Sequence, residues 1–198
     1  MINIAVLGCG TVGSGVVDVF FKNKESLEKK AGQELDLKYI LDVRDFPDSL
    51  YADRFVKDFN VILNDDSVSI VVEVIGGLEP AHEYTRACLE RGKSVVTSNK
   101  ELVAQYGAEL LDIAHSRHVN YLFEASVGGG IPIIRPLHMC LAANRIEEIA
   151  GILNGTTNFI LTKMFREGVT FDSALALAQK LGYAERNPAD DVEGKDAC

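Results

Sequence analysis

Two groups of residues in this chain have types and spacings that could do chemistry, and they sit at its opposite ends. Over residues 181–196, five carboxylates (Glu185, Asp190, Asp191, Glu193 and Asp196) share a short stretch with Gly182, Gly194 and Pro188. Such a segment is built to bind something. At the other end, Gly8-Cys9-Gly10-Thr11-Val12-Gly13 follows the apolar run Ile2-Asn3-Ile4-Ala5-Val6-Leu7 and precedes a helical pattern. Glycines in that setting form a dinucleotide cradle. Gly8 permits the tight turn, Gly10 lets the backbone approach a pyrophosphate, and Gly13 lets the helix pack closely on the strand. The N–H groups of the first turn, those of Thr11 and Val12 among them, then face the anion. A nucleotide site at one end and a carboxylate cluster at the other suggest a dehydrogenase.

Hydride delivery to a carbonyl leaves charge on its oxygen, so dehydrogenase chemistry needs a cation or an acid beside that atom. Lys100 follows a strand end and opens a helix on the carboxyl edge of the sheet, where doubly wound folds place their ligands. The competing reading of Lys100 is a solvated lysine at a helix start. At the end of the second strand, an Asp or Glu selects the ribose hydroxyl of NAD and an Arg accepts the phosphate of NADP. Here Asp42-Val43-Arg44-Asp45 offers both. The reading leans to NADP through Arg44, with dual specificity close behind. Gly155 and Thr156 open a later helix, where free N–H groups and a hydroxyl suit a substrate carboxylate or an ordinary N-cap. The histidines at 82, 115, 118 and 138 have no metal spacing and are read as surface residues.

The elements that must position these groups follow from periodicity. Strand signals at 2–7, 35–43, 70–75, 94–97 and 121–125 alternate with helical ones through residue 126, including helices over 79–91 and 100–118. The charged run 22–30 reads as the solvated end of a long first helix. That alternation predicts an α/β fold, a Rossmann-type doubly wound parallel sheet. Gly128-Gly129-Gly130-Ile131-Pro132 marks a change of character. Beyond it the pattern predicts a helix over 133–143, a strand over 146–153, and helices over 156–166 and 171–181, the last with Thr170 as N-cap. This is the start of a second, α+β domain, giving expected domains of 1–127 and 128–198.

Composition narrows the function classes. The chain has 198 residues, 47% of them hydrophobic, enough for one full core and little more. Its 20 basic and 29 acidic residues leave a net charge of −9, which opposes binding to nucleic acid or to anionic lipid. The expectation is a cytoplasmic protein with no membrane span and no signal segment. Cys9, Cys88, Cys140 and Cys198 are too widely spaced for a zinc site or a redox pair.

Several separated segments, taken together, resemble homoserine dehydrogenase. They are Gly8-Cys9-Gly10-Thr11-Val12-Gly13-Ser14-Gly15, Glu73-Val74-Ile75-Gly76-Gly77, Thr97-Ser98-Asn99-Lys100, Glu124-Ala125-Ser126-Val127-Gly128-Gly129-Gly130-Ile131-Pro132, Gly151-Ile152-Leu153-Asn154-Gly155-Thr156-Thr157-Asn158 and the acidic terminus. The resemblance implies NAD(P)-dependent interconversion of L-homoserine and L-aspartate 4-semialdehyde, a step toward threonine, methionine and isoleucine. It implies that Lys100 contacts substrate and cofactor, and that Glu185, Asp191 and Asp196 serve an amino-acid substrate, Asp196 also orienting a catalytic lysine. Tyr183 lines the pocket or packs in the core. Ser98 and Gly182 match positions that contact the nucleotide. Glu124 and the carbonyls of Val127, Gly129 and Ile131 match a sodium site, the alternative being a Glu that ties the domain junction through hydrogen bonds. The family's polypeptide continues past this point to a further lysine and pairs as a homodimer, so the chain is expected to be truncated. The competing expectations are a cofactor-binding fragment without turnover, and another two-domain dehydrogenase acting on aspartate or a sugar.

Overall fold

The structure, a computed structural model, describes residues 1–152, 154–184, 189 and 193–194. The chain divides into two compact units, Met1–Ala142 and Ala143–Cys198.

The first unit is built on six parallel strands: β1 (Ile2–Leu7), β2 (Leu35–Leu41), β3 (Phe55–Val56), β4 (Val68–Glu73), β5 (Ser94–Thr97) and β6 (Tyr121–Leu122), in the spatial order β3-β2-β1-β4-β5-β6. Its helices are α1 (Thr11–Lys22), α2 (Lys24–Ala31), α3 (Phe59–Leu63), α4 (Ala81–Glu90) and α5 (Lys100–Arg117). The apolar run of β1 is continuous because both faces of the sheet are covered. Ala5 and Leu7 join a core with Val71, Val95, Leu102 and Leu110. Val6 points the other way, into a core with Val17, Phe20, Leu37 and Ile40. All strands run parallel, so every strand ends on one edge of the sheet. The order in which strands are added switches side between the central neighbours β1 and β4, which opens a crevice on that edge.

Several boundaries differ from the expected ones. The long first helix is two helices, because the N–H of Asn23 closes α1 on Val19 while its carbonyl starts α2 by accepting from Leu27. α2 buries no residue, in keeping with a solvated face. The second strand stops at Leu41, its last pairing being with Leu7, so Asp42 and Arg44 lie in the turn beyond it. β4 runs two residues earlier than the expected 70–75, and β6 gives way to a 3-10 turn, Glu124–Ser126. The short β3 and α3 carry too few residues for a periodic signal and had no expected counterpart.

The segment expected to be helical at 133–143 is a π-helical turn, Pro136–Cys140, after a short α-helical start. The strand expected at 146–153 is not formed over 146–152, and residue 153 lies outside the described residues. A strand needs a ladder partner, and none is supplied among the described residues. Its isoleucines at 146, 149 and 152 recur every third residue and are exposed, where a half-buried strand alternates every second one.

In the second unit the described residues include the helices α6 (Gly155–Glu167) and α7 (Phe171–Lys180), meeting through Ile160, Ala174 and Ala178. Asn154 caps α6 by accepting from Thr157 N–H, and Thr170 caps α7 by accepting from Ser173 N–H. Among the described residues no helix is long and apolar enough to cross a membrane.

Candidate functional site

The glycine turn after β1 divides its tasks as the spacing predicts. Gly8 has φ +97°, and a Cβ there would sit 2.9 Å from the Val74 carbonyl oxygen across the crevice. A Cβ on Gly13 would fall 1.9 Å from the Gly8 carbonyl oxygen, so only glycine lets α1 lie this close to the strand. Gly10 is the N-cap of α1 and faces open space, with nothing within 4 Å of a Cβ built there. Thr11 and Val12 form the exposed first turn. The cradle therefore has a filled side and an empty side, and the empty side is where a pyrophosphate fits.

Beside it lies a cleft of about 560 Å³ walled by Gly10, Thr11, Arg44, Phe46, Leu50 and Tyr51 among others. Asp42 is buried at its rim and accepts hydrogen bonds from the N–H of Cys9 at 2.8 Å and from Arg44, through backbone and guanidinium. Those bonds from Arg44 hold the carboxyl well below the usual carboxylate range despite its burial. Burial, with the Asp42 charge added, pushes the Cys9 thiol up, which keeps it protonated beside the cradle. Arg44 is 58% exposed and lies over the Phe46 ring at 5.1 Å.

On the other side of the crevice a charge that periodicity alone passes over organises the edge. Glu73, the last residue of β4, is fully buried. It accepts from the Ile75 N–H at 2.8 Å and from the Thr97 hydroxyl at 2.6 Å. Thr97 in turn accepts from the Asn99 N–H at 2.9 Å. Asn99 donates to the Gly77 carbonyl at 2.6 Å and caps α5 by accepting from Leu102 N–H at 3.1 Å. Ser98 sits between Thr97 and Asn99 in sequence, and Lys100 is the first residue of the helix that Asn99 caps. The signal for Glu73 was present as the one acid in Val71-Val72-Glu73-Val74.

Glu124 is half-buried and its carboxylate accepts from three successive N–H groups, those of Ile133, Ile134 and Arg135 at 2.5, 3.0 and 2.7 Å. Burial opposes its charge, yet the bonds from Arg135, Ile133 and Ile134 outweigh that and lower its pKa. This is the geometry of a hydrogen-bonded tie. Nearby, Gly128 and Gly129 turn the chain with φ +72° and +57°, which places Val127, Gly129 and Ile131 on one tight bend. His82 departs from the surface reading: it is half-buried, stacked on Tyr106 at 3.8 Å. The other three histidines are exposed. Cys9, Cys88 and Cys140 are free thiols.

In the second unit, Gly155 begins α6 and Thr156 is buried, its hydroxyl donating to the Tyr183 carbonyl at 2.7 Å. The Thr156 hydroxyl is thus engaged within the unit. Tyr183 is 59% exposed with its ring 5.0 Å from Phe159, and Gly182 takes the left-handed conformation after α7. Glu185, Asp191 and Asp196 lie outside the described residues.

The sheet order, the switch of side between β1 and β4 and the glycine cradle on their carboxyl edge define the class: a doubly wound dinucleotide-binding protein. The description "Homoserine dehydrogenase, NAD binding domain" matches residues 8–124, and "Homoserine dehydrogenase" matches residues 132–198. The chain belongs to the homoserine dehydrogenase family. The homoserine dehydrogenase of Lactococcus lactis is 44% identical over 99% of this chain and 47% of its own length. The crystal structure of a homoserine dehydrogenase from Thiobacillus denitrificans superposes with a TM-score of 0.89 at 44% identity, over 99% of this chain and 46% of that one. A hyperthermophilic archaeal homoserine dehydrogenase in complex with NADPH does so with a TM-score of 0.84 at 31% identity, over 99% and 66%. The chain spans about half the length of the curated relatives it matches.

Proposed function

We propose that this protein takes part in the NAD(P)-dependent interconversion of L-homoserine and L-aspartate 4-semialdehyde, with its first domain over 1–127 and its second from 128. Bound NADP supplies or accepts the hydride. The chain's own residues do the rest. The first turn of α1, with Gly10, Thr11 and Val12, receives the pyrophosphate; Arg44 receives the ribose phosphate; Ser98 and Gly182 contact the nucleotide. Lys100 stabilises charge on the substrate oxygen, while Glu185, Asp191 and Asp196 bind the amino-acid end and the N–H groups of Gly155 and Thr156 bind its carboxylate.

The observation that best supports this reading is Lys100 opening α5 just past the end of β5, on the same sheet edge as the cradle and held there by the Asn99 cap. A sodium ion on Glu124 and the carbonyls of Val127, Gly129 and Ile131 belongs to the same reading. Oxygen ligands on a bend suit a hard cation, and the carboxylate oxygen taking a single N–H keeps an acceptor site. The protein acts in the cytoplasm and pairs as a homodimer in its full form.

The deciding experiment measures NADP reduction with homoserine by this chain and by one extended to the length of its relatives. In whichever form turns over, Lys100→Ala is expected to lower kcat by about 10²–10⁴-fold. Oxidation of aspartate or a sugar with homoserine ignored, or full activity in Lys100→Ala, would defeat the reading.

A further inference from the structure

Asp42 stands just past β2, where a dinucleotide fold places the acid that accepts a ribose hydroxyl. A carboxylate offers about four lone-pair sites. Here four donors fill them. Oδ2 takes the Cys9 N–H at 2.8 Å and Nη2 of Arg44 at 2.8 Å; Oδ1 takes the Arg44 N–H at 2.9 Å and its Nε at 3.0 Å. Three of the four belong to one residue, and two of those three leave together if the guanidinium swings away. The acid is 7% exposed and the arginine 58%, so the arginine is the movable partner.

The same guanidinium also reaches the glycine turn, where Nη2 donates to the Cys9 carbonyl at 3.0 Å. Among the described residues its side-chain hydrogen bonds run through Nε and Nη2, so both donors on Nη1 are left for an anion. The plane is held from beneath by Phe46, itself stacked on Phe55 at 4.6 Å. A fork fixed by a bidentate carboxylate and backed by a ring is prepared for a phosphate.

Resting on the dinucleotide reading proposed above, we infer that Asp42 and Arg44 form a two-state selector. With Arg44 seated, Asp42 is a positioning residue that presents the guanidinium to a phosphate on the ribose 2′ oxygen, and its own oxygens are closed to a ribose hydroxyl. The unphosphorylated dinucleotide reaches Asp42 only when Arg44 has left. Discrimination then has two sources: attraction of the phosphate by Arg44, and exclusion of the bare ribose by occupancy of Asp42. The second source separates this idea from a simple phosphate-binding arginine.

The test is titration of the full chain with NADPH and with NADH, followed by the fluorescence of the nucleotide, since the protein has no Trp. Arg44→Ala is expected to weaken NADPH and to tighten NADH by about ten-fold, the worth of one charge-assisted hydrogen bond. The gain disappears in Asp42→Asn/Arg44→Ala, where the amide still accepts from Cys9 N–H but the second carboxylate oxygen is gone. Unchanged NADH affinity in Arg44→Ala, or a gain that survives in the double variant, overturns the selector while leaving the dinucleotide reading intact. Wild-type protein that binds neither nucleotide overturns that reading and the selector with it. Should the double variant not fold, the NADH affinity of Arg44→Ala decides alone.

Discussion

Gly10 and Gly13 are the same residue type three positions apart, and their surroundings give them opposite roles. A Cβ on Gly13 would overlap the Gly8 carbonyl at 1.9 Å, whereas one on Gly10 meets nothing within 4 Å. Overpacking against backbone cannot be relieved by a rotamer change, so Gly13→Ala is expected to destabilise by about 3 kcal/mol, read from urea unfolding. Gly10→Ala leaves the unfolding midpoint close to wild type but abolishes NADPH binding, because the added methyl stands where the pyrophosphate approaches. Asp42 adds a pH signature. Bonds from Arg44 depress its folded pKa, so its contribution is complete above the ordinary carboxylate range near about 4 and is lost as pH falls through the depressed value. Asp42→Asn is therefore less stable than wild type at pH 7, with the difference closing on acidification. Parallel urea midpoints at neutral and acid pH check this.

The start of α5 shows how one element is aimed at the site by its neighbours. Its N-cap, Asn99, joins three things: the helix through Leu102 N–H, the glycine turn after β4 through the Gly77 carbonyl, and β5 through Thr97. Glu73 anchors the set from the end of β4, and its buried charge is matched by two donors. Asn99→Ala removes the cap and the bond to Gly77. A loss of about 2 kcal/mol follows, roughly one from each, measurable by denaturant unfolding. It also frees the turn that carries Lys100, so nucleotide affinity falls with stability. The tie at Glu124 has the same logic, since three N–H groups at the start of a helical segment converge on one carboxylate.

For the whole molecule, the acidic balance and the cradle make complementary statements. A net charge of −9 gives no field that attracts polyanions, so the proposed function places nucleotide binding on local N–H groups and Arg44 and not on long-range steering. Because the cradle exists only in the folded chain, binding is linked to folding. NADPH at about 100 times its Kd is expected to add about 2.7 kcal/mol to the unfolding free energy of the unit that holds it. Calorimetry with and without NADPH checks this, and a transition that does not move would count against the cradle. The two units, Met1–Ala142 and Ala143–Cys198, differ in what supports them: a sheet with two covered faces in the first, and a small cluster around Ile160 and Ala178 in the second.

The local code determined a good deal by itself. Glycine spacing after an apolar strand located the cradle, alternation of strand and helix patterns announced a parallel doubly wound sheet, and Lys100 marked a helix start after a strand end. These are short-range facts, set by φ/ψ freedom and by side-chain period within one element. Tertiary structure decided what depends on distant partners. Asp42 and Arg44 look like competing selectors in a line of text, and only folding shows four donors closing one carboxylate. Glu73 reads as a stray charge until Thr97 and Ile75 are brought to it. The isoleucines at 146, 149 and 152 favour extended chain, yet without a ladder partner among the described residues they form no strand. Hydrogen-bond saturation and strand pairing are properties of neighbours in space, which sequence spacing does not carry.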